Sequence, residues 1–329
     1  MFRKRLMLGG LSVLAAVAVS APALAQALKE VSTTVPRNSV FILSAYGGKD
    51  AGIYEKHGID LKLDPRPFRG HVAGLPAKEC MVTYYPGTAA IARINKGLDW
   101  VVIGGGLTVM QEVMVRNETP FKAVPDLKGK KFSSWSTGAG AFKATRAALI
   151  DAYGIDVLKD TDFVQAAAPA LFKFLEGGKV DSMFNISSLT VAALAQPDKY
   201  RSIFSANTYW KEKTGYPAVW SAPIVAWRSW VEEDPDRAKR FVAASHEAWE
   251  WLRKPENLAA AVKKHGKLAA VKNQAQADVY KRLLSEKRVF LTDWNQKVID
   301  SQWAFLEMAA KRGVIDKVPD KAKHGLILK

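Results

Sequence analysis

Asp126-Leu-Lys-Gly-Lys-Lys-Phe-Ser-Ser-Trp-Ser-Thr-Gly138 is the stretch of sequence that decides the fold. Its apolar Phe132 begins a short strand, and the Ser-Thr-Gly corner at residues 136–138 opens an amphipathic segment, residues 139–153. Gly154 follows that segment, and glycine is the residue that most often ends a helix. The stretch therefore predicts a buried strand that turns directly into a long helix, which is the unit of α/β folds.

The same alternation of short apolar strands and helices continues on both sides of this stretch. Strands are predicted at residues 39–44, 59–63, 81–85, 100–103, 163–164, 180–185 and 219–227, and helices at residues 51–57, 87–95, 168–175 and 191–195. From residue 231 onward the pattern is mostly amphipathic helix, at residues 235–253, 255–265, 273–286 and 292–312. The predicted fold class is α/β with largely parallel sheets.

The first 25 residues have the composition of a secretory signal. Arg3-Lys-Arg5 is basic, residues 6–20 are apolar or small without charge, and Ala23-Leu-Ala25 is the small-x-small pattern that signal peptidase accepts. The apolar run is shorter than the roughly 20 residues that a membrane-spanning helix needs. We therefore predict a signal peptide at residues 1–25, cut before Gln26, and export of a soluble protein to the periplasm.

The mature chain is large enough for two lobes and carries an excess of positive charge. Removing 25 of the 329 residues leaves 304, more than one hydrophobic core usually serves. The formal net charge of +16 falls to +13, because the signal carries three positive charges and no negative ones. Lys and Arg are spread along the chain without a basic tail, which favours a solvated surface biased toward anions and argues against nucleic-acid binding.

Four sequence motifs resemble those of periplasmic solute-binding proteins of the nitrate, sulfonate and taurine type, a superfamily that includes the thiamine-precursor binders. The motifs are Gly52-Ile-Tyr-Glu-Lys-His-Gly58-Ile-Asp-Leu, the stretch from Asp126 to Gly138, Phe174-Leu-Glu-Gly-Gly-Lys-Val-Asp181, and Trp230-Val-Glu-Glu-Asp-Pro-Asp-Arg-Ala-Lys-Arg240. Their order and spacing, together with the export signal, carry the resemblance over residues 38–252.

The resemblance implies a two-lobe periplasmic binding protein fold (type II-like), with two crossover strands and a ligand cleft between the lobes. Carried over, residues 26–125 plus 224–329 form lobe one and residues 126–223 form lobe two. It also implies a monomer that delivers a small-molecule ligand, here an organic anion of the sulfonate or the aromatic or multi-carboxylate class, to the permease and ATPase of an ABC transporter. A sensory binding module that signals to a membrane receptor is the alternative of a different class.

Ligands of open α/β sheets bind beyond the carboxyl ends of strands, where loops lead into helices. We expect Ser, Thr and backbone donors at these corners, with Arg66 or Arg69, to hold an acidic group, and Tyr46, Tyr85 and Trp135 to flank an apolar body. The hydroxyls of residues 136 and 137 have the alternative role of capping their own helix. The full set of predicted ligand-binding residues is Tyr46, Arg66, Arg69, Tyr85, Thr88, Ser134, Trp135, Ser136, Thr137, Gly138, Asn185 and Ser187.

Neither a cofactor nor a metal is predicted, and the chain is not expected to be an enzyme. The five His and one Cys form no metal-ligand pattern, and Gly104-Gly-Gly106 lacks the Lys-Ser/Thr ending of a phosphate loop, so it indicates a tight turn. An enzyme of the same fold would need an activated Cys, as a desulfinase-like hydrolase, or a cysteine cluster, as a pyrimidine synthase. Cys80 is instead interpreted as a small buried residue.

Overall fold

A computed structural model describes residues 27–216 and 218–328. The predicted signal peptide lies outside these residues. The strands are β1 (Lys29–Pro36), β2 (Ile59–Arg66), β3 (Val82–Tyr84), β4 (Trp100–Thr108), β5 (Glu112–Arg116), β6 (Lys131–Ser134), β7 (Asp162–Gln165), β8 (Ser182–Phe184), β9 (Tyr200–Ser205), β10 (Trp220–Trp227) and β11 (Phe290–Leu291).

Helices alternate with these strands. They are α1 (Val40–Asp50), α2 (Ile53–Lys56), α3 (Phe68–Gly74), α4 (Gly87–Asn95), α5 (Gly140–Tyr153), α6 (Ala168–Glu176), α7 (Ser187–Leu194), α8 (Ala206–Thr214), α9 (Arg228–Glu233), α10 (Pro235–Leu252), α11 (Pro255–Ala269), α12 (Gln274–Ser285), α13 (Gln296–Lys311) and α14 (Lys321–His324). Four helices of 12 or more residues, α10 to α13, lie in the C-terminal third. The predicted α/β class is confirmed.

The first sheet has the strand order β11-β4-β10-β3, and all of its described pairs are antiparallel. The parallel pair β1-β2 lies beside β3. Thr33 Oγ1 donates to the carbonyl of Val82 at 2.9 Å, and Thr83 Oγ1 donates to the carbonyl of Thr34 at 2.8 Å. Two threonine hydroxyls thus join β1 to β3 in place of a backbone ladder.

The second sheet has the order β7-β6-β8-β5-β9, in which β6 is parallel to both neighbours and β5 is antiparallel to both of its own. The prediction of largely parallel sheets is therefore wrong for the first sheet and right for half of the second. Local patterns do not report the direction of a partner strand, because a strand buried on both faces looks alike in either arrangement.

The chain crosses between the sheets twice, and the two crossing segments lie side by side. It passes from β4 to β5 through residues 109–111 and returns from α8 to β10, with Val109 N donating to the carbonyl of Val219 at 2.8 Å. The change of sheet precedes Glu112, well before the predicted boundary at residues 125 and 126. Pro120 and Pro125 interrupt the strand pattern and therefore predict a break there, whereas the crossing segment at residues 109–111 contains no proline or glycine.

The predicted strand at residues 39–44 is wrong, because these residues form the first turns of α1. Ser39 is the N-cap, and its hydroxyl accepts from Phe41 N at 3.2 Å. Helix α1 is buried on nearly every side, so its apolar residues show no helical period. Residues 47 and 48, predicted to end a strand, are close-packed helical glycines against Trp251 and Ala248.

Two further predictions are overturned by the packing. Gly104-Gly-Gly106 is not a turn but continues β4, and glycine is required there because neighbouring backbones approach closely. A Cβ on Gly105 would lie 1.9 Å from the carbonyl oxygen of Leu291, and one on Gly106 would lie 2.0 Å from that of Ala222. Tyr209 and Trp210, where no helix is predicted, lie in α8.

One buried apolar cluster extends across both sheets. It contains Val102 and Val225 of the first sheet, Val113 and Phe132 of the second sheet, and Phe305 of α13. The two sheets are therefore joined by packing as well as by the two crossing segments, and this shared core positions the cavity described next.

Candidate functional site

A cavity of about 330 Å³ lies where the first and second sheets face each other; we call it the cleft cavity. Strands β3, β4 and β10 of the first sheet contribute to its walls directly, and the second-sheet side contributes residues that follow β6 and β8 and the starts of helices. The lining residues are Pro36, Arg37, Asn38, Ser39, Phe41, Pro67, Phe68, His71, Tyr84, Pro86, Leu107, Gln111, Trp135, Ala139, Gly140, Ala141, Ala168, Ile186, Ser187, Ser221 and Ala222.

Five helices of eight or more residues begin at this cavity. Helices α1 and α4 come from the first-sheet side, and α5, α6 and α7 come from the second-sheet side. Apart from α1, none of these five has a side-chain hydrogen bond at its N-cap. Unpaired N–H groups and the positive ends of the helix dipoles therefore converge on the cavity, an arrangement that favours negative charge.

Aromatic rings form part of the wall on each side. On the first-sheet side Phe41 stacks on Tyr84, with ring centroids 4.5 Å apart and planes 8° from parallel. On the second-sheet side Trp135 stacks on Phe184 at 5.6 Å and 16°. Phe68 is 46% exposed although it lines the cavity, so an apolar ring is open to solvent there. Such surfaces suit a flat organic body.

The charges around the cavity also favour an anion. Among the described lining residues there is no Asp or Glu, and Arg37 is the one permanently charged side chain. Its Nε donates to the carbonyl of Pro65 at 2.9 Å, which anchors the guanidinium beside the cavity. His71 is buried, and burial lowers its pKa to about 4, so it is neutral at pH 7.

A family model described as "NMT1/THI5 like" matches residues 41–258 of this sequence, which is about two thirds of the chain. This protein belongs to the NMT1/THI5-like family. No curated protein matches the sequence. The predicted resemblance to periplasmic solute-binding proteins of the nitrate, sulfonate and taurine type is confirmed.

Solved structures show that this NMT1/THI5-like chain has the two-lobe binding-protein fold. It is similar to the periplasmic aliphatic sulphonate binding protein SsuA from Escherichia coli, with a TM-score of 0.70 and 17% identity over 92% of this chain and 93% of that chain. The alkanesulfonate-binding protein SsuA from Xanthomonas axonopodis pv. citri bound to MOPS has a TM-score of 0.65 and 14% identity over 89% of this chain and 95% of that chain. The desulfurization enzyme DSZB has a TM-score of 0.60 and 12% identity over 91% of this chain and 96% of that chain.

The Ser-Thr-Gly corner of this NMT1/THI5-like chain lies beside the cleft cavity. Trp135 lines the cavity, as do residues 139–141 just after the corner. Ser136 does not cap α5, whose N-cap is Ala139; its hydroxyl instead accepts from Gly138 N at 3.2 Å. Ser134 is fully buried, Thr137 is half-buried, and these corner residues other than Trp135 are not on the cavity wall.

The two predicted tyrosines lie elsewhere. Tyr46 is on α1 rather than in a loop, with its ring 5.1 Å from that of His265. Tyr85 is fully buried in the apolar cluster that extends across both sheets, and its hydroxyl accepts from Arg93 Nε at 3.1 Å, whereas its neighbour Tyr84 lines the cavity. Strand alternation shows that the two tyrosines face opposite sides, and only packing decides which one faces the cleft.

The predicted arginines are also away from the cavity wall. Arg66 forms ion pairs with Asp64 and Glu79, which occupy its guanidinium. Arg69 is exposed on α3 and is not among the lining residues. The arginine that lines the cavity is Arg37, which the sequence did not predict. A predicted strand at β1 would have indicated Arg37, because Arg37 directly follows the end of that strand, where ligands of α/β sheets bind.

Of the remaining predicted residues, one lines the cavity and two lie behind its wall. Ser187 lines the cavity at the start of α7. Asn185 is fully buried; its Nδ2 donates to the carbonyl of Ala168 at 2.9 Å and its Oδ1 accepts from Ile186 N at 2.8 Å, so it positions two wall residues. Thr88 is buried in the first turn of α4 and is not on the wall. Ligand contact by any of these residues stays a prediction.

Cys80 does not line the cleft cavity. Burial raises the pKa of its thiol, and its Sγ lies 3.7 Å from Thr34 Oγ1, which in turn contacts His71 Nδ1 at 3.0 Å. A thiol that is neutral at pH 7 and lies off the wall is a poor nucleophile. No group of three His, Cys, Asp or Glu side chains suited to a metal occurs in the described residues, and none of the described helices is long and apolar enough to cross a membrane.

Proposed function

We propose that this protein is the periplasmic substrate-binding component of an ABC-type importer and that it captures a small organic anion between its lobes. The observation that carries the proposal is the convergence of five helix N-termini from both sides on the cleft cavity. Each charge-assisted hydrogen bond to such a backbone group contributes on the order of 1 kcal/mol or more to anion binding. Membership of the NMT1/THI5-like family supports the role.

The ligand is an organic acid with a flat or apolar body, of the sulfonate or the aromatic or multi-carboxylate class. The stacked rings of Phe41 and Tyr84 on one side and Trp135 on the other supply apolar area that a bare inorganic anion would not use. The names of two structural neighbours state that they bind sulfonates, so sulfonates are the first class to test. The protein itself is not an enzyme, and it needs no cofactor or metal.

Binding takes place in the periplasm, after removal of residues 1–25. In the proposed arrangement the first sheet and its helices form lobe one and the second sheet and its helices form lobe two, so the lobes change at residues 109–111 and between α8 and β10 rather than at residues 125 and 223. Closure of a monomer around the ligand removes water from the charged contacts. The closed form then docks on the permease of the transporter, whose ATPase drives import.

The proposal is tested by identifying the ligand and then measuring its uptake. Protein exported by its native host is denatured, and the released small molecule is identified by mass spectrometry; a thermal-shift panel of sulfonates, carboxylates and neutral analogues checks the class. An acid should co-purify and raise the Tm. A neutral or cationic ligand would refute anion capture. Loss of uptake of the labelled acid on gene deletion supports import, whereas intact uptake with lost chemotaxis supports a sensory module.

A further inference from the structure

A second cavity of about 590 Å³ lies beside the cleft cavity, and we call it the seam cavity because both sides of the molecule form its walls. The starts of α6 and α7 form the wall of the second-sheet side. The end of α11 and the start of α12 form the wall of the first-sheet side. Asn38 and Ile186 line both cavities, so the two cavities adjoin.

The first-sheet wall carries a buried carboxamide with a free donor. Gln276, the third residue of α12, is 7% exposed, and its Oε1 accepts from Lys272 N at 2.8 Å. Because a backbone N–H can only donate, this bond fixes the orientation of the amide. The Nε2 atom has no hydrogen-bond partner among the described residues, and it is not one of their unpaired polar atoms that are sealed from solvent. Gln276 therefore presents N–H groups to the seam cavity.

The opposite wall carries a free hydroxyl at the start of a helix. Ser188, the second residue of α7, is 8% exposed. Its Oγ also lacks a partner within the described part of the chain and is not sealed from solvent. Its N–H is open as well, because the carbonyl of Ile186 is used by the N–H groups of residues 189 and 190, each at 3.0 Å. Two side chains that are each more than nine-tenths buried thus reach the cavity without a partner, one from each wall.

The permanent charges of the described lining residues are all positive. Lys267 and Lys272 are exposed, and neither forms an ion pair with a described residue. No Asp or Glu occurs among the lining residues that the structure describes. Asn38, the other polar side chain of the lining, is exposed and can donate through its Nδ2. An anion in the seam cavity would therefore meet donors on both walls and positive charge on one.

The end of α11 does not oppose an anion strongly, although a helix C-terminus carries partial negative charge. Three of its last four carbonyls accept backbone hydrogen bonds and are therefore not free. The pairs are the carbonyl of Gly266 with Val271 N at 2.9 Å, that of Lys267 with Ala270 N at 3.3 Å, and that of Leu268 with Asn38 N at 2.9 Å.

We propose that the seam cavity is a second anion-binding site, which holds a compact oxyanion group between Gln276 Nε2, the start of α7 and the two lysines. Carboxylate, phosphate and sulfate groups share the chemistry that these donors recognise. The group is either a separate small anion or a second acidic group on the ligand of the adjoining cleft cavity. The first source is independent of the proposed anion capture in the cleft, whereas the second rests on it.

The first arm of the test measures inorganic phosphate binding by calorimetry. Gln276→Glu is nearly isosteric and keeps an oxygen that accepts from Lys272 N, but it replaces the free donor by a negatively charged oxygen. Phosphate affinity should fall at least about tenfold in this variant. The Tm should stay the same or rise, because an acid in the first turn of a helix is favourable.

Two lysine variants of α11 form a matched pair. Lys267→Met should weaken phosphate binding about three- to tenfold. Lys263 is exposed on the same helix, has no ion pair with a described residue and does not line the seam cavity. Lys263→Met makes the same change of charge and should leave phosphate binding unchanged.

The second arm compares acids that differ only by a methyl or a carboxylate at the far end. The pairs are 4-methylbenzoate with terephthalate, and 4′-methylbiphenyl-4-carboxylate with biphenyl-4,4′-dicarboxylate. If the anion belongs to the ligand, a diacid should bind the wild type about tenfold tighter than its methyl partner. This ratio should return to about one in Gln276→Glu, and taking the ratio cancels any effect of the variant on the cleft cavity itself.

A response of phosphate identifies a separate anion, and a response of the diacid ratio identifies a second acidic group of the ligand; either one supports the site. The site is refuted if the wild type neither binds phosphate nor favours a diacid, or if both quantities are the same in Gln276→Glu and Lys267→Met as in the wild type. That result would leave anion capture in the cleft standing, because the acid that co-purifies tests the cleft by itself.

Discussion

A negative charge placed at the start of α7 should weaken ligand binding on the order of 100-fold without harming the fold. Ser187 is the first residue of α7, lines the cleft cavity and is 6% exposed. The N-cap of α7 makes no side-chain hydrogen bond, and the N–H groups of Ser187 and Ser188 are open to a carboxylate, whereas Leu189 N donates to the carbonyl of Ile186 at 3.0 Å. In Ser187→Asp the new side chain would place a carboxylate among the helix N-termini that we propose to hold the acidic group of the ligand.

The size of the effect follows from the burial of the site. Two negative charges about 5 Å apart at an effective dielectric constant of about 20 repel by about 3 kcal/mol, which is a loss of affinity on the order of 100-fold. An acid in the first turn of a helix stabilises it by about 0.3–1 kcal/mol, and this offsets much of the cost of burying it. The Tm of the unliganded variant should therefore change by only about 3 °C or less.

Calorimetry with the acid that co-purifies with the wild type, at pH 7.5 and in moderate salt, measures the loss. Ser187→Asn is the isosteric control, since it adds the same volume without charge and should cost at most about tenfold. Equal losses in both variants would show that size, not charge, matters at this position. Undiminished binding by the Asp variant would refute the placement of an anion at α7.

Three further predictions concern the fold and its single thiol. Gly105→Ala should destabilise the protein by about 3 kcal/mol or more in urea denaturation, because the added Cβ would lie 1.9 Å from the carbonyl oxygen of Leu291; an unchanged midpoint would contradict the close approach. Burial alone would raise the pKa of Asp151, but hydrogen bonds led by that from Lys213 lower it from 3.8 to about 2. Because the folded pKa is the lower one, the stabilisation of about 2 kcal/mol is present above pH 4 and disappears as the pH falls to 2. Asp151→Asn should therefore be less stable than the wild type at pH 7 and approach it in acid, and parallel stability curves over that range would be inconsistent with the ion pair. Cys80, with its raised pKa and 4% exposure, should react with a maleimide at least about 100-fold more slowly in the folded protein than in urea; a rapid reaction would reopen the enzyme alternative.

Local signals located most of the secondary structure. The turn from β6 into α5 and the end of α5 at Gly154 are confirmed, because a strand end and a left-handed glycine are set by a few neighbouring residues. The run at residues 39–44 failed because α1 is buried on nearly every side, and an apolar run without a period fits a buried strand equally well. Strand β1 was missed for the opposite reason, since its consecutive polar residues Ser32-Thr-Thr34 resemble a loop.

For the cavity, the sequence by itself determined that helix starts follow strand ends, and this located Trp135 and Ser187. Only the tertiary structure decided that Tyr84 rather than Tyr85 faces the cleft and that Arg37 rather than Arg66 borders it. Gln111 carried no local signal at all. The physical reason is the sequence separation over which each interaction acts. Capping and helix termination depend on a few neighbouring residues. The direction in which a side chain is buried, and the residue that pairs with its charge, depend on elements far apart in the chain.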